Sequence, residues 1–228
     1  MKKIIGIILI LIGVLFIGLY LASDQILGYV SRSSIPESVT AEQMKINNTR
    51  AVVNHNEDVD NTEVIRNIIN IPKIDHDYVI GQIYIPSRNT NIAIVRGVTN
   101  ENLLLGAATM KLDQEMGKGN YALAGHYNYT DGVLFNAVYD IEPGTDVYIT
   151  DKETIWHYRI FSRDIYPDDA FYMLEDDQAT SRDNPILTLM TCPIGSSGGT
   201  RVFAVGDLVD QMDYEDGIGE ITFTHSSD

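Results

Sequence analysis

Three residues in this chain could together break and remake an acyl bond: one thiol, one imidazole and one guanidinium. Cys192 is the only cysteine in 228 residues, and it ends an apolar, β-prone run, Ile186-Leu187-Thr188-Leu189-Met190-Thr191-Cys192. A lone cysteine forms no intrachain disulfide, so in a chain that reads as exported it is either a buried small hydrophobe or a group kept for its chemistry. Arg201 stands beyond the loop Pro193 to Thr200, and both flanking segments look like strands. Paired as a hairpin, they set Cys192 and Arg201 facing each other at its open end. Period-two alternation puts Thr188, Met190 and Cys192 on one face and Leu187, Leu189 and Thr191 on the other. A guanidinium near a thiol favours the thiolate, and its fork of donors can hold a developing oxyanion. Taken alone, Arg201 would be a solvated rim charge.

Thiol chemistry also needs a proton shuttle, usually histidine. Of five histidines, His55 falls in a polar stretch, His76 precedes the first strand, His157 follows Trp156 in an alternating strand and His225 lies near the acidic end. Those four read as surface or structural. His126 differs, because Tyr121-Ala122-Leu123-Ala124-Gly125-His126 is a small-residue strand ending at a glycine, followed by the turn-rich Tyr127-Asn128-Tyr129-Thr130-Asp131-Gly132. A histidine at a strand end beside a loop is placed as catalytic groups often are.

Short β-prone segments separated by turns must position these groups, a pattern that predicts an all-β sandwich or barrel. They are Val79–Pro86, Asn91–Val95, Tyr121–Gly125, Asp146–Thr150, Thr154–Ile165, Ile186–Cys192 and Val202–Val205, with a short helix at Asn102–Gly106. About eight strands and little helix make a closed or nearly closed barrel economical, since closure removes exposed edges. The predicted organisation is 1–23 a Lys-containing start and membrane anchor, 24–75 an extracellular stalk, 76–210 the barrel and 211–228 an acidic tail. The triplet Asn47-Asn48-Thr49 matches a glycosylation acceptor, a common and weak signal.

The net charge of −16 argues against a nucleic-acid partner, which would require clustered Lys and Arg. No charged residue occurs from Ile4 to Ala22, a stretch that approaches the roughly 30 Å of a bilayer core at about 1.5 Å per residue. Lys2 and Lys3 precede it and Asp24 follows, so the expected topology is single-pass, with the N-terminus cytoplasmic and the remainder outside. A cleaved signal peptide is the alternative, but the apolar run exceeds the usual core of about 7–15 residues.

Leu123-Ala124-Gly125-His126, then Thr188-Leu189-Met190-Thr191-Cys192, then Arg201, in that order behind an N-terminal apolar segment, resembles the sortase family in its class A form. Asn102–Met110 and Met116–Tyr121 resemble the segment that precedes the histidine in such proteins. The resemblance spans about residues 76–210. It implies an eight-stranded β-barrel with short helices and a cysteine transpeptidase that cuts a Leu-Pro-x-Thr-Gly sorting signal between Thr and Gly. Cys192 would form a thioester with the Thr carbonyl, His126 would donate and later accept a proton, and Arg201 would steady the oxyanion. The acceptor would be an amine of a lipid-linked peptidoglycan precursor, and the substrates would be surface proteins bearing the signal.

By order, Pro167 to Asn184 corresponds to the loop that closes over the Leu-Pro part of the signal. Ala170, Phe171 and Leu174 in it, together with Thr191, are the expected substrate contacts; Tyr172 and Met173 could add apolar surface. No metal or organic cofactor is implied by the chemistry. Some members of the family bind calcium through acidic loops, for which Asp113, Glu115, Asp168, Asp169, Glu175, Asp176 and Asp177 are available, but no Ca-loop spacing is present. A pilin-polymerising sortase and a non-catalytic membrane-tethered barrel that binds peptide or wall components are the alternatives.

Overall fold

The computed structural model describes residues 2–32, 35, 39–51, 75–111, 113–192, 199–218 and 221. Eight strands close into a barrel: β1 (Val79–Ile85), β2 (Thr90–Val95), β3 (Gly106–Thr109), β4 (Asn120–Ala124), β5 (Asp146–Thr150), β6 (Thr154–Pro167), β7 (Ile186–Thr191) and β8 (Thr200–Asp213). Their order around the barrel is β1-β2-β3-β4-β7-β8-β6-β5, with β5 returning to β1. Two pairs are parallel, β2 with β3 and β4 with β7. All the others are antiparallel.

β1, β2, β3, β4 and β7 are buried on both faces, as strands that read as near-continuous apolar runs are, whereas much of β6 and the far half of β8 are half-buried or exposed. Ile83, Ile92, Ile94, Leu123, Leu187 and Leu189 fill the interior. Their neighbours Ala93, Val95, Ala122, Met190 and Phe203 point the other way, into a second apolar layer covered by Met44 and by Ala170, Met173 and Leu174. The β2–β3 crossover is the short helix α3 (Asn100–Leu105), where Thr99 caps the amide of Asn102 and the Asn102 side chain bonds the carbonyls of Arg96 and Gly97. Gly106, where β3 begins, has no side chain because a Cβ there would lie 2.1 Å from the Ala93 carbonyl oxygen across the parallel pair.

β3 has no counterpart among the expected strands. Its sequence, Gly106-Ala107-Ala108-Thr109, carries little intrinsic β preference, and pairing on both sides makes it a strand. β8 is longer than expected: it runs to Asp213 beside an equally extended β6 and ends in α6 (Tyr214–Gly217). Residues 211–217, expected in the acidic tail, are therefore part of the sheet and its terminal turn. His225 lies outside the described residues, as does His55.

Among the described residues two α-helices precede the barrel. α1 (Lys2–Arg32) exposes apolar side chains such as Ile4, Leu9, Ile10 and Phe16 over its first half and buries Leu27 near its end. Among the described residues no helix is long and apolar enough to cross a membrane. The expected span of 4–22 falls within α1, and its Tyr20 side chain lies outside those described.

α2 (Ala41–Asn47) begins at a Thr40 cap and packs on β1, within the stretch expected to be a stalk. Met44 is buried, the Asn47 side chain donates to the Val79 carbonyl at 2.8 Å, and Arg96 bonds Arg50 O and Asn48 Oδ1. Asn47→Ala would leave a buried carbonyl without its donor, at a cost of about 1–3 kcal/mol. Urea unfolding should show that loss with an unchanged slope; a wild-type midpoint would mean that α2 contributes nothing to the fold.

Candidate active site

β7 is flanked by β4 and β8, and the two registers decide what meets at its end. In the parallel pair, Ala122 sits beside Thr188 and Ala124 beside Met190, and the Gly125 amide donates to the Met190 carbonyl at 3.0 Å. Carried two residues further, this register sets His126 beside Cys192, on strands about 4.8 Å apart. In the antiparallel pair, Met190 faces Phe203 and Thr191 faces Val202. One step on, Cys192 faces Arg201, a spacing that puts Cβ atoms about 4.5–5.5 Å apart.

All three side chains share a face. Ala122, Ala124, Met190, Phe203 and Val205 lie in the outer apolar layer, and alternation assigns His126, Cys192 and Arg201 to the same side. Cys192 is 5% exposed, His126 is 2% exposed and Arg201 is half-buried. The Arg201 Nη1 donates to the Thr200 carbonyl at 2.9 Å. Thiol, imidazole and guanidinium are thus gathered at one end of a largely apolar surface, where electrostatic interactions are weakly screened.

The backbone around His126 is tightly held. Its carbonyl accepts from the Phe135 amide at 2.9 Å, and the Asn136 side chain donates to the Asn128 carbonyl at 2.8 Å. The Phe135 ring lies so close to Gly125 that a Cβ there would come within 2.4 Å of it, so this position requires glycine. Thr191 corrects an expectation. It is buried, and its hydroxyl donates to the Gly125 carbonyl at 2.9 Å, so it braces the strand that carries His126 where a substrate contact was expected. That role was hidden in the sequence, because it depends on β4 and β7 pairing in parallel.

The segment between β6 and β7 covers the apolar layer. Ala170 and Leu174 are buried in it, whereas Phe171 is 62% exposed. Beneath the segment is a cavity of about 220 Å³, lined by Phe161, Tyr166, Met173, Arg182, Ile186 and Thr188 among others. Asn120 fastens the segment, donating to the carbonyls of Met173 at 2.9 Å and Glu175 at 3.3 Å while accepting from the Thr188 hydroxyl at 2.7 Å. Asp176 adds a second tie through Lys111 Nζ at 2.6 Å and the Asn120 amide at 2.9 Å.

Asn120 is absent from the sequence expectations and Asp176 enters them only as an available calcium carboxylate, since the partners that give them their role lie more than fifty positions away along the chain. Among the described residues, no group of three or more His, Cys, Asp or Glu side chains is placed to hold a metal. His76 is exposed, and His157 pairs with Asp146 at 2.8 Å while stacking on Tyr148; neither belongs to the site.

A closed eight-stranded barrel presenting cysteine, histidine and arginine at the ends of three adjacent strands defines a class of thiol-dependent acyl-transfer enzyme. Comparison with known proteins specifies the family. A sequence model described as a Sortase domain matches residues 83–209. Sortase A of Listeria monocytogenes is 33% identical over 208 residues, covering 91% of each chain, and Sortase A of Bacillus anthracis is 38% identical over 136 residues, 60% of this chain and 62% of that one. The solved sortase A of Listeria monocytogenes superposes with a TM-score of 0.56 at 30% identity, covering 62% of this chain and 96% of its own. Sortase C-3 of Streptococcus pneumoniae, at 17% identity and a TM-score of 0.60 over 86% of this chain and 96% of its own, shares the fold. The chain belongs to the sortase family of cysteine transpeptidases, and its sequence relatives place it with class A.

The tie at Asp176 has a pH signature. The Lys111 ammonium, followed by the Asn120 backbone N–H, holds its carboxyl below the ordinary carboxylate range. A depressed folded value means stabilisation that is present above the unfolded carboxylate value and lost as pH falls through the folded one. Asp176→Asn should therefore destabilise the protein near neutrality, with the difference from wild type shrinking as pH drops below about 4. Thermal unfolding across pH checks this; a difference independent of pH would remove the ionic contribution.

Proposed function

We propose that this sortase-family transpeptidase cleaves Leu-Pro-x-Thr-Gly sorting signals between Thr and Gly and transfers the protein to an amine of a lipid-linked cell-wall precursor. The observation that carries this reading is the double register at β7, by which the only cysteine gains His126 on one side and Arg201 on the other. The Cys192 Sγ attacks the Thr carbonyl carbon and the C–N bond to Gly breaks. His126 gives a proton to the departing Gly amine. The thioester retains the acyl-transfer energy, so the incoming amine completes the exchange without ATP: its nitrogen bonds the carbonyl carbon, its proton passes to His126 and the Cys192 thiolate leaves. Arg201 directs N–H donors at the oxygen on which negative charge develops in both steps. Phe171, exposed at the rim, supplies apolar surface for the Leu-Pro part of the signal, while Ala170 and Leu174, expected as contacts, are buried in the apolar layer and back the segment that carries it.

Incubation with a Leu-Pro-x-Thr-Gly peptide and a set of amines, with products identified by mass, should give Thr-amine conjugates and free Gly-peptide. Cys192→Ala should abolish the thioester, and His126→Ala and Arg201→Ala should each reduce transfer by orders of magnitude, as loss of one member of a cooperating set does. Full activity in either would remove that residue from the mechanism.

We further propose that residues 4–22 anchor the enzyme in the membrane, with the barrel on the outer face. What supports this is that, among the described residues, α1 exposes apolar side chains from Ile4 to Leu19, which favours a non-aqueous surround. Lys2 and Lys3 on one side and Asp24 on the other favour a cytoplasmic N-terminus. The protein should sediment with membranes at high salt, and protease added outside protoplasts should digest the barrel; recovery in the soluble fraction would dismiss the anchor.

A further inference from the structure

The last turns of α1 pack on the body of the protein at α3 and β2. Leu27, 4% exposed, joins Leu104 of α3 with Val133 and Leu134 of the loop after His126 in a separate apolar cluster, and each of those three is at most 2% exposed. Leu134 adopts a left-handed backbone with φ 51°, which a branched aliphatic residue holds only when its surroundings impose it. The next residue, Phe135, donates its amide to the His126 carbonyl at 2.9 Å and presses its ring on Gly125. A short path thus runs from the N-terminal helix through Val133 and Leu134 to the backbone of the catalytic histidine.

We infer that Leu27 is a positioning residue: docked on Leu104, Val133 and Leu134, it holds the loop that sets His126 and joins the helix to the barrel as one unit. The inference rests on the function proposed above for His126. It adds a consequence for the anchor: Leu27 lies five residues beyond Ala22, about 8 Å along the helix, so the loop bearing His126 is held close to the bilayer face. An acceptor amine carried on a lipid is presented at that height. The helix acts as a rigid post, and the transpeptidase works at a fixed distance from the membrane rather than swinging on a tether.

The test uses the full chain reconstituted in lipid nanodiscs. In a Cys192→Ala background, the double variant Leu27→Cys with Leu104→Cys should form a disulfide under mild oxidation, whereas Leu15→Cys with Leu104→Cys should not. Leu27→Asp should raise amide hydrogen exchange at Phe135 at least about tenfold and leave Leu123, inside the barrel, unchanged. With active enzyme counted by alkylation of Cys192, the kcat per titrated site should fall on the order of tenfold in Leu27→Asp, with KM for the sorting peptide within about twofold, and Leu27→Met should restore it. A merely structural role would lower the titrated fraction and leave kcat per site unchanged. Absence of the crosslink, unaltered exchange at Phe135 or an unaltered kcat per site would each overturn the inference. A wild-type enzyme that transfers no peptide would instead defeat the sorting function, while crosslinking and exchange would still decide the dock.

Discussion

The parallel pairing of β4 with β7 is the contact on which the site depends. Parallel neighbours cannot be joined by a tight turn, so the chain between them travels through β5, β6 and the segment that later covers the apolar layer. That detour gives β7 two partners whose ends coincide: β4 stops at Ala124, two residues before His126, and β8 starts at Thr200, next to Arg201, and both flank the end of β7 beside Cys192. A slip of one residue in either register would turn a functional side chain into the barrel interior, because strand alternation has period two. Tyr121, Leu123, Leu187 and Leu189, filling the inside, fix that register through packing. Core and catalysis are therefore specified by the same alternation.

Polar ties then refine what packing begins. Thr191 could have been another apolar residue on the inner side of β7; its hydroxyl instead links β7 to the Gly125 carbonyl at the point where β4 stops being a strand. Asn120, at the opposite end of β4, makes four connections among β4, β7 and the covering segment. Buried and fully engaged, such groups rigidify their surroundings, whereas half-engaged they would be costly. The two ends of one short strand thus hold the histidine at one end and the roof of the apolar layer at the other.

How much of this was legible in the sequence follows from what each feature depends on. The alternation in Ile186–Cys192 and the small-residue strand before His126 are local patterns, and they predicted both strands and the faces of their side chains. The hairpin linking Cys192 with Arg201 required only neighbouring strands. β3 escaped notice because Gly106-Ala107-Ala108-Thr109 has no β signal of its own and is a strand by virtue of its neighbours. Thr191 was read as facing substrate because its hydroxyl's partner belongs to a strand far away in sequence. α2 was read as stalk because Ala41–Asn47 is too short for its periodicity to stand out, and only Met44 and Asn47 reveal its docking.

The fold also sets the residues proposed for acyl transfer at strand ends, Cys192 and His126 just past β7 and β4 and Arg201 at the start of β8. Inside a sheet, a cysteine's neighbours are fixed in pleated geometry and both backbone groups are committed to ladders, leaving no room for a peptide carbonyl to approach or for donors to turn toward it. Past Ala124 on one side and Thr191 on the other the ladders of β7 have stopped, yet Ala124, Met190 and Phe203, the preceding residues on the same face, still lie directly beneath. Cys192 and His126 therefore inherit the sheet's spacing just beyond its ladders, while Arg201, still paired with Tyr166 of β6, is held beside them by β8. In the proposed mechanism this position brings the three groups toward one carbonyl, and an extended peptide laid over Met190 and Phe203 would arrive along the same axis as the strands beside them.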